Sequence, residues 1–159
     1  MIRKISYRIG VGIVLINNKK KIFVGKRIDV KNESWQMPQG GINKGESYEK
    51  AAFRELYEET GIKKAKIVIK SKKWFKYSIP SSINKKLWGK KYTGQKQKWF
   101  VMKFQGNEKK DINLNVHKAE FNQWKWVNID NLEKLIISFK KEMYKQLIKE
   151  FANKIKILS

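Results

Sequence analysis

The segment GGINKGESYEKAAFRELYEETGI, residues 40–62, decides the fold. It begins with turn-forming residues and continues as a helical pattern that contains Glu55, Glu58 and Glu59. These residues are spaced i, i+3 and i+4, so their carboxylates share one face of the predicted helix. The segment therefore predicts a loop followed by a helix that presents an acidic cluster.

The acidic cluster indicates a site for divalent cations. Three neighbouring carboxylates repel one another on a helix, whereas divalent cations use carboxylate oxygens as ligands and relieve the repulsion. The alternative is a solvated acidic helix face. That alternative is weakened by the composition, because this is the one concentrated acidic cluster in a chain with 37 Lys and Arg against 14 Asp and Glu.

The composition restricts the metal that such a site could hold. The chain has no cysteine and one histidine, His117, to which we assign no role. Thiolate catalysis, cysteine-ligated metals and multi-histidine metal sites are therefore excluded. Oxygen ligands remain, and they favour magnesium, manganese or calcium.

The net charge of +23 suggests a polyanionic partner, because lysine and arginine attract phosphate. An alternative is a lysine-rich composition spread over a solvated surface. The few arginines are more informative, since each offers a planar bidentate donor in a chain that otherwise uses lysine. They are Arg3, Arg8, Arg27 and Arg54.

The hydrophobic pattern predicts five strands and two helices. The strands are expected at 8–16, 22–28, 65–70, 97–105 and 123–129, and the helices at 47–60 and 138–154. Residues 71–96 are expected to form a long loop or irregular hairpin. This order predicts an α/β (α+β) sandwich with a mixed β-sheet, in one domain that covers residues 1–159.

Each predicted helix has identifiable caps or an apolar face. Ser47 is the expected N-cap of the first helix and Gly61 its left-handed end. The residues expected to face the core are Ala52, Phe53, Leu56 and Thr60. The second helix has an apolar stripe of Phe139, Met143, Leu147, Phe151 and Ile155.

The N-terminal residues predict a buried strand rather than a targeting segment. The apolar run Ile9–Ile16 follows two basic residues but leads into a polar turn, with no small-residue cleavage site. No apolar run is as long as a membrane span. We therefore expect a cytoplasmic protein that does not use a membrane.

The acidic segment resembles the signature of the Nudix hydrolase family. All nine of the fixed positions are present at the family's spacing: Gly40, Glu46, Arg54-Glu55-Leu56, Glu58-Glu59 and Gly61-Ile62. The resemblance implies the Nudix α/β/α sandwich and a catalytic site for Mg²⁺ or Mn²⁺, with two or three ions. It implies that Glu55, Glu58 and Glu59 are metal ligands, that one carboxylate serves as base, that Gly40 allows close approach to a metal or phosphate, and that Glu46 anchors Arg54.

A longer resemblance covers nearly the whole chain and is to the bacterial RNA pyrophosphohydrolases, also described as dinucleoside polyphosphate hydrolases. It is carried by Tyr7-Arg8, residues 35–43, residues 94–100, Glu120-Phe121, Trp124–Val127 and Ser138–Lys140. The resemblance implies removal of pyrophosphate from the 5′-triphosphate end of RNA, or of phosphate from a 5′-diphosphate end. The 5′-monophosphate product promotes mRNA decay.

The same resemblance assigns residues outside the helix. Glu120 is expected to be a further catalytic carboxylate and metal ligand. Arg8, Gln95 and Lys140 are expected to hold phosphates, Arg27 to lie near the RNA, and Phe139 to stack on a base. The remaining substrate-binding candidates are Gln39, Lys98 and Ser138. Structural alternatives remain, since Phe139 also fits the apolar stripe, and Glu120, Gln95, Lys98 and Lys140 also fit a solvated surface.

The sequence departs from the family pattern at two positions. Two other functions also remain as alternatives. Met37 replaces an aromatic residue, and Ala119 stands where a proline commonly precedes the glutamate. A diadenosine polyphosphate hydrolase would need the same chemistry. A non-catalytic RNA-binding protein is less consistent with an intact acidic cluster. The sequence does not identify a partner protein that would stimulate the enzyme.

Overall fold

The computed structural model describes residues 6–29, 33–80 and 92–159. Arg3 and residues 81–91 of the segment expected to form a long loop or irregular hairpin lie outside these ranges. The strands are β1 (Tyr7–Ile16), β2 (Ile22–Arg27), β3 (Trp35–Gln36), β4 (Gln39–Gly41), β5 (Ala65–Lys70), β6 (Phe75–Ser78), β7 (Gly94–Phe104) and β8 (Phe121–Val127). The α-helices are α1 (Tyr48–Thr60), α2 (Glu108–Asp111), α3 (Leu132–Leu135) and α4 (Lys141–Lys156), and 3₁₀ turns occur at Ile129–Asn131 and Ser138–Lys140.

The strands form the mixed sheet that the sequence predicts. Strand β1 runs parallel to β7, in register from Tyr7 opposite Gly94 to Ile16 opposite Lys103. Strands β4 and β2 are antiparallel to β1, and β5 and β6 are antiparallel to β7. Strand β8 pairs with β2. The register places the N-terminal half of β1 between β4 and the start of β7.

Helices cover both faces of the sheet, which confirms the predicted sandwich. One core joins the sheet to α4 and includes Trp99, Tyr144 and Phe151. The other joins the opposite face to α1 and includes Ile13, Leu56 and Phe100, among other apolar residues. Alternate residues of β7 thus enter opposite cores, because side chains alternate across a strand. No described helix is both long and apolar enough to cross a membrane.

Helix α1 begins and ends as predicted. The Ser47 side chain accepts a hydrogen bond from the Lys50 amide at 3.2 Å. Gly61 has φ of 74°, and its N–H donates to the Tyr57 carbonyl at 2.7 Å. The acidic face of α1 is therefore held at a defined position relative to the loop before it and the turn after it.

The expectation that Phe53 faces the core is wrong. Its side chain is 37% exposed, whereas Ala52, Leu56 and Thr60 are buried as expected. At about 100° per residue, Phe53 lies a quarter-turn beyond Ala52 and passes the edge of the buried face. Glu59 falls inside that face and is only 2% exposed. One carboxylate of the acidic cluster thus lies in the interior.

Several elements differ from the sequence prediction in their bounds. Residues 35–41 contain the two short strands β3 and β4, and β7 begins at Gly94 because β6 pairs with its first residues. The short helices α2 and α3 were not expected. The final helix begins at Lys141, after the 3₁₀ turn that contains Ser138 and Phe139. These features depend on partners distant in sequence, which hydrophobic periodicity does not reveal.

Candidate active site

A cavity of about 230 Å³ opens between the ends of β1, β4 and β7 and the 3₁₀ turn before α4. It brings together many residues that the sequence singles out: Arg8, Arg27, Gln39, Gly40, Glu55, Gln95, Glu120, Phe139 and Lys140. It also contains Gly41, which with Gly40 is expected to permit close approach of the backbone to a metal or phosphate, and three residues that the sequence analysis did not select: Gln36, Tyr77 and Ile79. Carboxylates and cationic side chains share this one cavity.

Arg54 organises the acidic side of the cavity without lining it. Its guanidinium donates to Glu46 at 2.8 and 3.0 Å and to the Gly41 carbonyl at 2.7 Å. The remaining nitrogen, Nη1, donates to Glu55 at 2.9 Å and to Glu58 at 3.2 Å. Arg54 therefore ties the glycine-containing loop to helix α1 and orients the carboxylates. The expected pairing with Glu46 is present.

Glu55 lies against the backbone of the loop at Gly40. A Cβ atom at position 40 would overlap the Glu55 carboxylate, so only glycine leaves room for this approach. Burial raises the pKa of Glu55 to about 7, and the nearby Arg54 charge opposes that shift. The Glu55 carboxylate is thus held at the cavity in a position where its charge is poorly solvated.

Glu59 lies deeper in the protein and lacks compensation for its charge. Neither carboxylate oxygen has a hydrogen-bond partner of ordinary geometry, although the Gln39 backbone and the Glu120 carboxylate lie close by. Burial raises the pKa of Glu59 well above its usual range, and the charges of Glu120 and Glu55 add to the rise. Such a group needs either a proton or a cation.

These carboxylates fit a divalent cation in their chemistry. Within the described ranges, no three carboxylate or imidazole groups converge in a ready metal-binding arrangement. However, the unpartnered Glu59 oxygens and the mutual repulsion with Glu55 and Glu120 are the conditions that a divalent cation relieves. The donor set is all oxygen, which suits magnesium or manganese.

Three cationic residues also line the cavity, namely Arg8, Arg27 and Lys140. The Arg8 guanidinium packs on Gly41, where a Cβ atom would overlap it. Lys140 is 3% exposed, and its Nζ donates to the Gln36 side-chain oxygen at 3.0 Å. Arg27 donates to the same oxygen at 3.3 Å, while its other nitrogens pair with Asp29 at 2.8 and 2.5 Å. A polyanion in the cavity would therefore meet several donors.

Lys140 is poised to lose its proton near neutral pH. Burial lowers its pKa from the ordinary 10.5 to about 7, and the positive charge of Arg27 contributes to the fall. The negative charges of Glu59, Asp29 and Glu120 act in the opposite direction. An anion bound beside Lys140 would favour its charged form.

A buried chain of amides fixes which groups face the cavity. The Trp99 indole N–H can only donate, and it donates to the Gln97 side-chain oxygen at 3.0 Å. The Gln97 amide nitrogen therefore donates to the side-chain oxygens of Gln39, at 3.1 Å, and Gln95, at 2.5 Å. Since these oxygens are engaged, Gln39 and Gln95 present their N–H₂ groups as donors. Gly12 makes room for the Trp99 ring.

Phe139 fits both of its proposed roles in part. Its half-buried ring packs against the α4 core and lies 6.0 Å from the Tyr77 ring, centroid to centroid. The same ring lines the cavity. Phe139 therefore offers an aromatic face at the edge of the cavity while its position is held by the core.

Besides Arg54 and Glu59, three further predicted residues do not line the cavity: Lys98, Ser138 and Glu58. Lys98 lies on the opposite face of β7 from Gln95, where its Nζ donates to the Lys72 carbonyl at 3.1 Å and lies 4.7 Å from the Trp74 ring centre. Ser138 precedes Phe139 in the 3₁₀ turn. The Glu58 carboxylate is turned toward Arg54, from which it accepts a hydrogen bond. The roles predicted for all three stay predictions.

Sequence reasoning did not identify Gln97, Gln36 or Tyr77. The alternation Gln95, Gln97, Trp99 along one face of β7 is the signal that could have identified Gln97, because two buried glutamines on a strand need partners. Gln36 and Tyr77 carried no comparable signal, since their neighbours come from other strands.

The comparisons with known proteins agree with this architecture. The model of the NUDIX domain family matches residues 6–147. The chain belongs to the Nudix hydrolase family. Nudix hydrolases use divalent metal ions. The carboxylate cluster described above lies within the residues that this model matches.

Curated Nudix relatives cover almost the whole chain. The chain is 51% identical over 147 residues to the RNA pyrophosphohydrolase of Orientia tsutsugamushi (strain Boryong), which covers 92% of this chain and 91% of the relative. It is 48% identical over 151 residues to the RNA pyrophosphohydrolase of Rickettsia prowazekii (strain Madrid E), which covers 95% and 93% of the two chains.

Solved structures establish the Nudix fold. A dihydroneopterin triphosphate pyrophosphohydrolase from E. coli matches with a TM-score of 0.70 and 20% identity, over 92% of this chain and 99% of that one. A C. elegans Ap4A hydrolase matches with a TM-score of 0.61 and 17% identity, over 91% and 98%. These two proteins are named for different substrates, so the shared fold does not by itself decide the substrate.

The amide chain predicts that Gln97→Glu weakens binding of polyphosphate. A glutamate can accept from Trp99 but, when ionised, cannot donate to Gln39 and Gln95, so their donor groups lose their orientation. The expected result is affinity for inorganic tripolyphosphate reduced by about tenfold or more, measured by isothermal titration calorimetry. Gln146→Glu, an exposed position of α4, is the control with the same charge change. Equal affinities for both variants would contradict the amide orientation.

The lowered pKa of Lys140 predicts a pH-dependent stability in metal-free protein. Between pH 7 and 10.5 the unfolded chain retains a proton that folded Lys140 has lost, so this group makes the free energy of unfolding rise with pH. The rise is at most about 1.4 kcal/mol per pH unit. Urea unfolding at pH 7, 8 and 9 should show this slope as the difference between wild-type protein and Lys140→Met, because the opposing contributions of Glu55 and Glu59 are present in both proteins. The neighbouring exposed Lys141→Met should behave like wild type, and parallel curves for all three proteins would refute the shift.

Proposed function

We propose that the protein is a metal-dependent RNA pyrophosphohydrolase that removes pyrophosphate from the 5′-triphosphate end of RNA and leaves a 5′-monophosphate. The observation that carries the proposal is the identity of about half, over more than nine tenths of both chains, with relatives named RNA pyrophosphohydrolase. The cavity supports it, because donors for phosphate face carboxylates that fit a cation. The product would promote decay of the transcript. We further propose that residues 1–159 form one Nudix domain, and a cytoplasmic location stays a prediction from sequence.

The proposed metal ligands are Glu55, Glu58, Glu59 and Glu120, with the backbone at Gly40 allowing close approach. They would hold Mg²⁺ or Mn²⁺, as two or three ions. When bound, these ions neutralise phosphate charge, activate water and stabilise the leaving group. Arg54 keeps the carboxylates oriented through its bonds to Glu46 and the loop.

The proposed phosphate contacts are donors that already face the cavity. Arg8 supplies a guanidinium, Gln39 and Gln95 supply oriented amides, and Lys140 supplies an ammonium that a bound anion keeps protonated. Arg27 and Phe139 lie at the same cavity and would contact the first nucleotides. Lys98 and Ser138 remain candidates from the family resemblance alone.

The residues at these positions are suited to hydrolysis of one phosphoanhydride bond of the triphosphate by water. The oxygen of a water molecule bonds to a phosphorus of the triphosphate, and the phosphoanhydride bond to the leaving pyrophosphate breaks. One carboxylate of the cluster takes the proton that the water loses. The donors opposite the carboxylates hold the charged oxygens while the bond is broken.

The proposed metal site predicts that Glu58→Ala nearly abolishes turnover of 5′-triphosphate RNA. Loss of at least about a hundredfold in kcat is expected, because even changes outside a metal's ligand shell commonly cost ten- to a hundredfold. RNA binding, measured by fluorescence anisotropy, should remain within about threefold, since Glu58 faces Arg54 rather than the basic side. Glu49→Ala, on the same helix and paired with exposed Lys70 at 3.1 Å, is the control and should retain full activity. Unchanged turnover in Glu58→Ala would exclude its catalytic role.

The substrate is tested by comparing kcat/KM for short RNAs that carry 5′-triphosphate or 5′-diphosphate ends with that for diadenosine tetraphosphate. We expect triphosphate RNA to be converted to monophosphate RNA more efficiently than the dinucleotide is cleaved. The opposite ranking would retain the Nudix chemistry and assign the protein to dinucleoside polyphosphate hydrolysis. RNA binding without turnover of any of the three compounds would indicate a non-catalytic RNA-binding protein.

A further inference from the structure

Two surface grooves outside the active-site cavity are larger than the cavity itself. One, of about 710 Å³, lies between β8 and the segment that includes Lys109, Lys110 and Leu114. The other, of about 920 Å³, lies between β8, the β1–β2 turn and α2. Both contain Lys109 and Trp124, so they adjoin one another. We call the two together the β8 groove.

The β8 groove begins where the active-site cavity ends. Arg27 and Glu120 line the cavity, whereas their chain neighbours Ile28 and Phe121 line the groove. The Ile28 amide donates to the Glu120 carbonyl at 3.1 Å, which holds the two segments together at this junction. The cavity and the β8 groove therefore meet at this junction, with Tyr77 and Phe139 of the cavity on the α4 face of the sheet and Trp124 and Trp126 of the groove on the α1 face.

The lysines of the β8 groove are available to an external anion. Lys19, Lys21, Lys109 and Lys110 line it and are exposed. None of these four forms an ion pair within residues 6–29, 33–80 and 92–159. The acidic lining residue Glu108 accepts a hydrogen bond from the neutral Trp126 indole at 2.7 Å and offsets one of these positive charges. The groove thus presents uncompensated positive charge.

The floor of the β8 groove is a pair of fixed aromatic rings. Trp124 stacks on Phe23 at 5.8 Å with an interplanar angle of 15°, and Trp126 meets the same ring edge-on. Both tryptophans are half-buried, so each keeps part of its surface at the groove. Rigid aromatic surface beside lysines is the combination that binds single-stranded nucleic acid, in which bases stack and phosphates meet cations.

We propose that the β8 groove binds the single-stranded body of the RNA whose 5′ end occupies the active-site cavity. This inference rests on the proposed function and extends it to the nucleotides downstream of the cleaved phosphates. A folded acidic protein is a poorer match, because the groove meets the proposed phosphate-binding cavity at Ile28 and Phe121 and presents exposed ring surface beside its lysines. The contact is expected to be tolerant of sequence, since stacking and phosphate pairing do not read base edges.

The experiment compares two triple variants that have the same net charge. The groove variant carries Lys19→Gln, Lys109→Gln and Lys110→Gln. The control carries Lys134→Gln, Lys149→Gln and Lys156→Gln, three exposed lysines of the C-terminal third that lie outside both grooves and form no ion pair in the described ranges. The readout is kcat/KM for 5′-triphosphate RNAs of two and twelve unstructured nucleotides, at several salt concentrations.

We expect wild-type protein to prefer the longer RNA by about tenfold or more, because added stacking and phosphate contacts strengthen binding. The groove variant should lose that preference, while its kcat/KM for the two-nucleotide 5′-triphosphate RNA stays equal to that of wild-type protein. Its salt dependence for the longer RNA should fall by about two in log–log slope, since each phosphate contact on single strands contributes roughly 0.7. The control variant should match wild type.

Two outcomes would overturn the inference: equal rates for both RNA lengths in wild type, or equal losses in the groove and control variants. The latter would attribute the effect to bulk charge. If wild type hydrolyses neither RNA, the proposed function itself fails. In that case, the β8 groove is tested by measuring the binding of a twelve-nucleotide 5′-hydroxyl RNA by fluorescence anisotropy. The groove variant should bind this RNA more weakly than wild-type protein, and the control variant should not.

Discussion

The guanidinium of Arg54 is the interaction on which the site depends. It bonds at once to Glu46 and the Gly41 carbonyl in the loop and to Glu55 and Glu58 on helix α1. Without it, three carboxylates within two turns of a helix would repel one another and the loop would lose its tie to the helix. Because Arg54 is partly buried, these bonds are less screened than surface ion pairs. The geometry of the acidic side is thus fixed before any ligand binds.

The cavity places unfavourable charges of both signs near one another and in the interior. Burial raises the pKa of Glu55 and Glu59, and burial also lowers the pKa of Lys140. Each of these groups is destabilised in its charged form until an ion of opposite sign arrives. A divalent cation on one side and a polyphosphate on the other would remove both costs together. The protein's own residues therefore favour joint binding of metal and phosphate.

The parallel pairing of β1 with β7 brings Arg8 and Gln95 together at the cavity. Its register sets Arg8 opposite Gln95, and the pairing of β1 with β4 sets Gly12 opposite Gln39. Gly12 in turn leaves space for Trp99, which fixes the orientation of the Gln97 amide. Because β1 has glycine at positions 10 and 12, groups from β1, β4 and β7 can lie close together along it.

The sequence by itself determined the acidic helix, because the spacing of Glu55, Glu58 and Glu59, the cap at Ser47 and the end at Gly61 are local properties of one segment. It also predicted the mixed sheet, and the family resemblance supplied Arg8, Gln95, Glu120 and Lys140, which the structure brings to one cavity. Only the tertiary structure revealed the roles of Gln97, Gln36 and Tyr77, since their partners lie on other strands. It also placed Lys98 on the opposite face of β7 from Gln95, a consequence of the two-residue period that becomes visible once the strand's start is known. Local spacing fixes which groups share a helix face, whereas strand register and burial decide which of them meet across the fold.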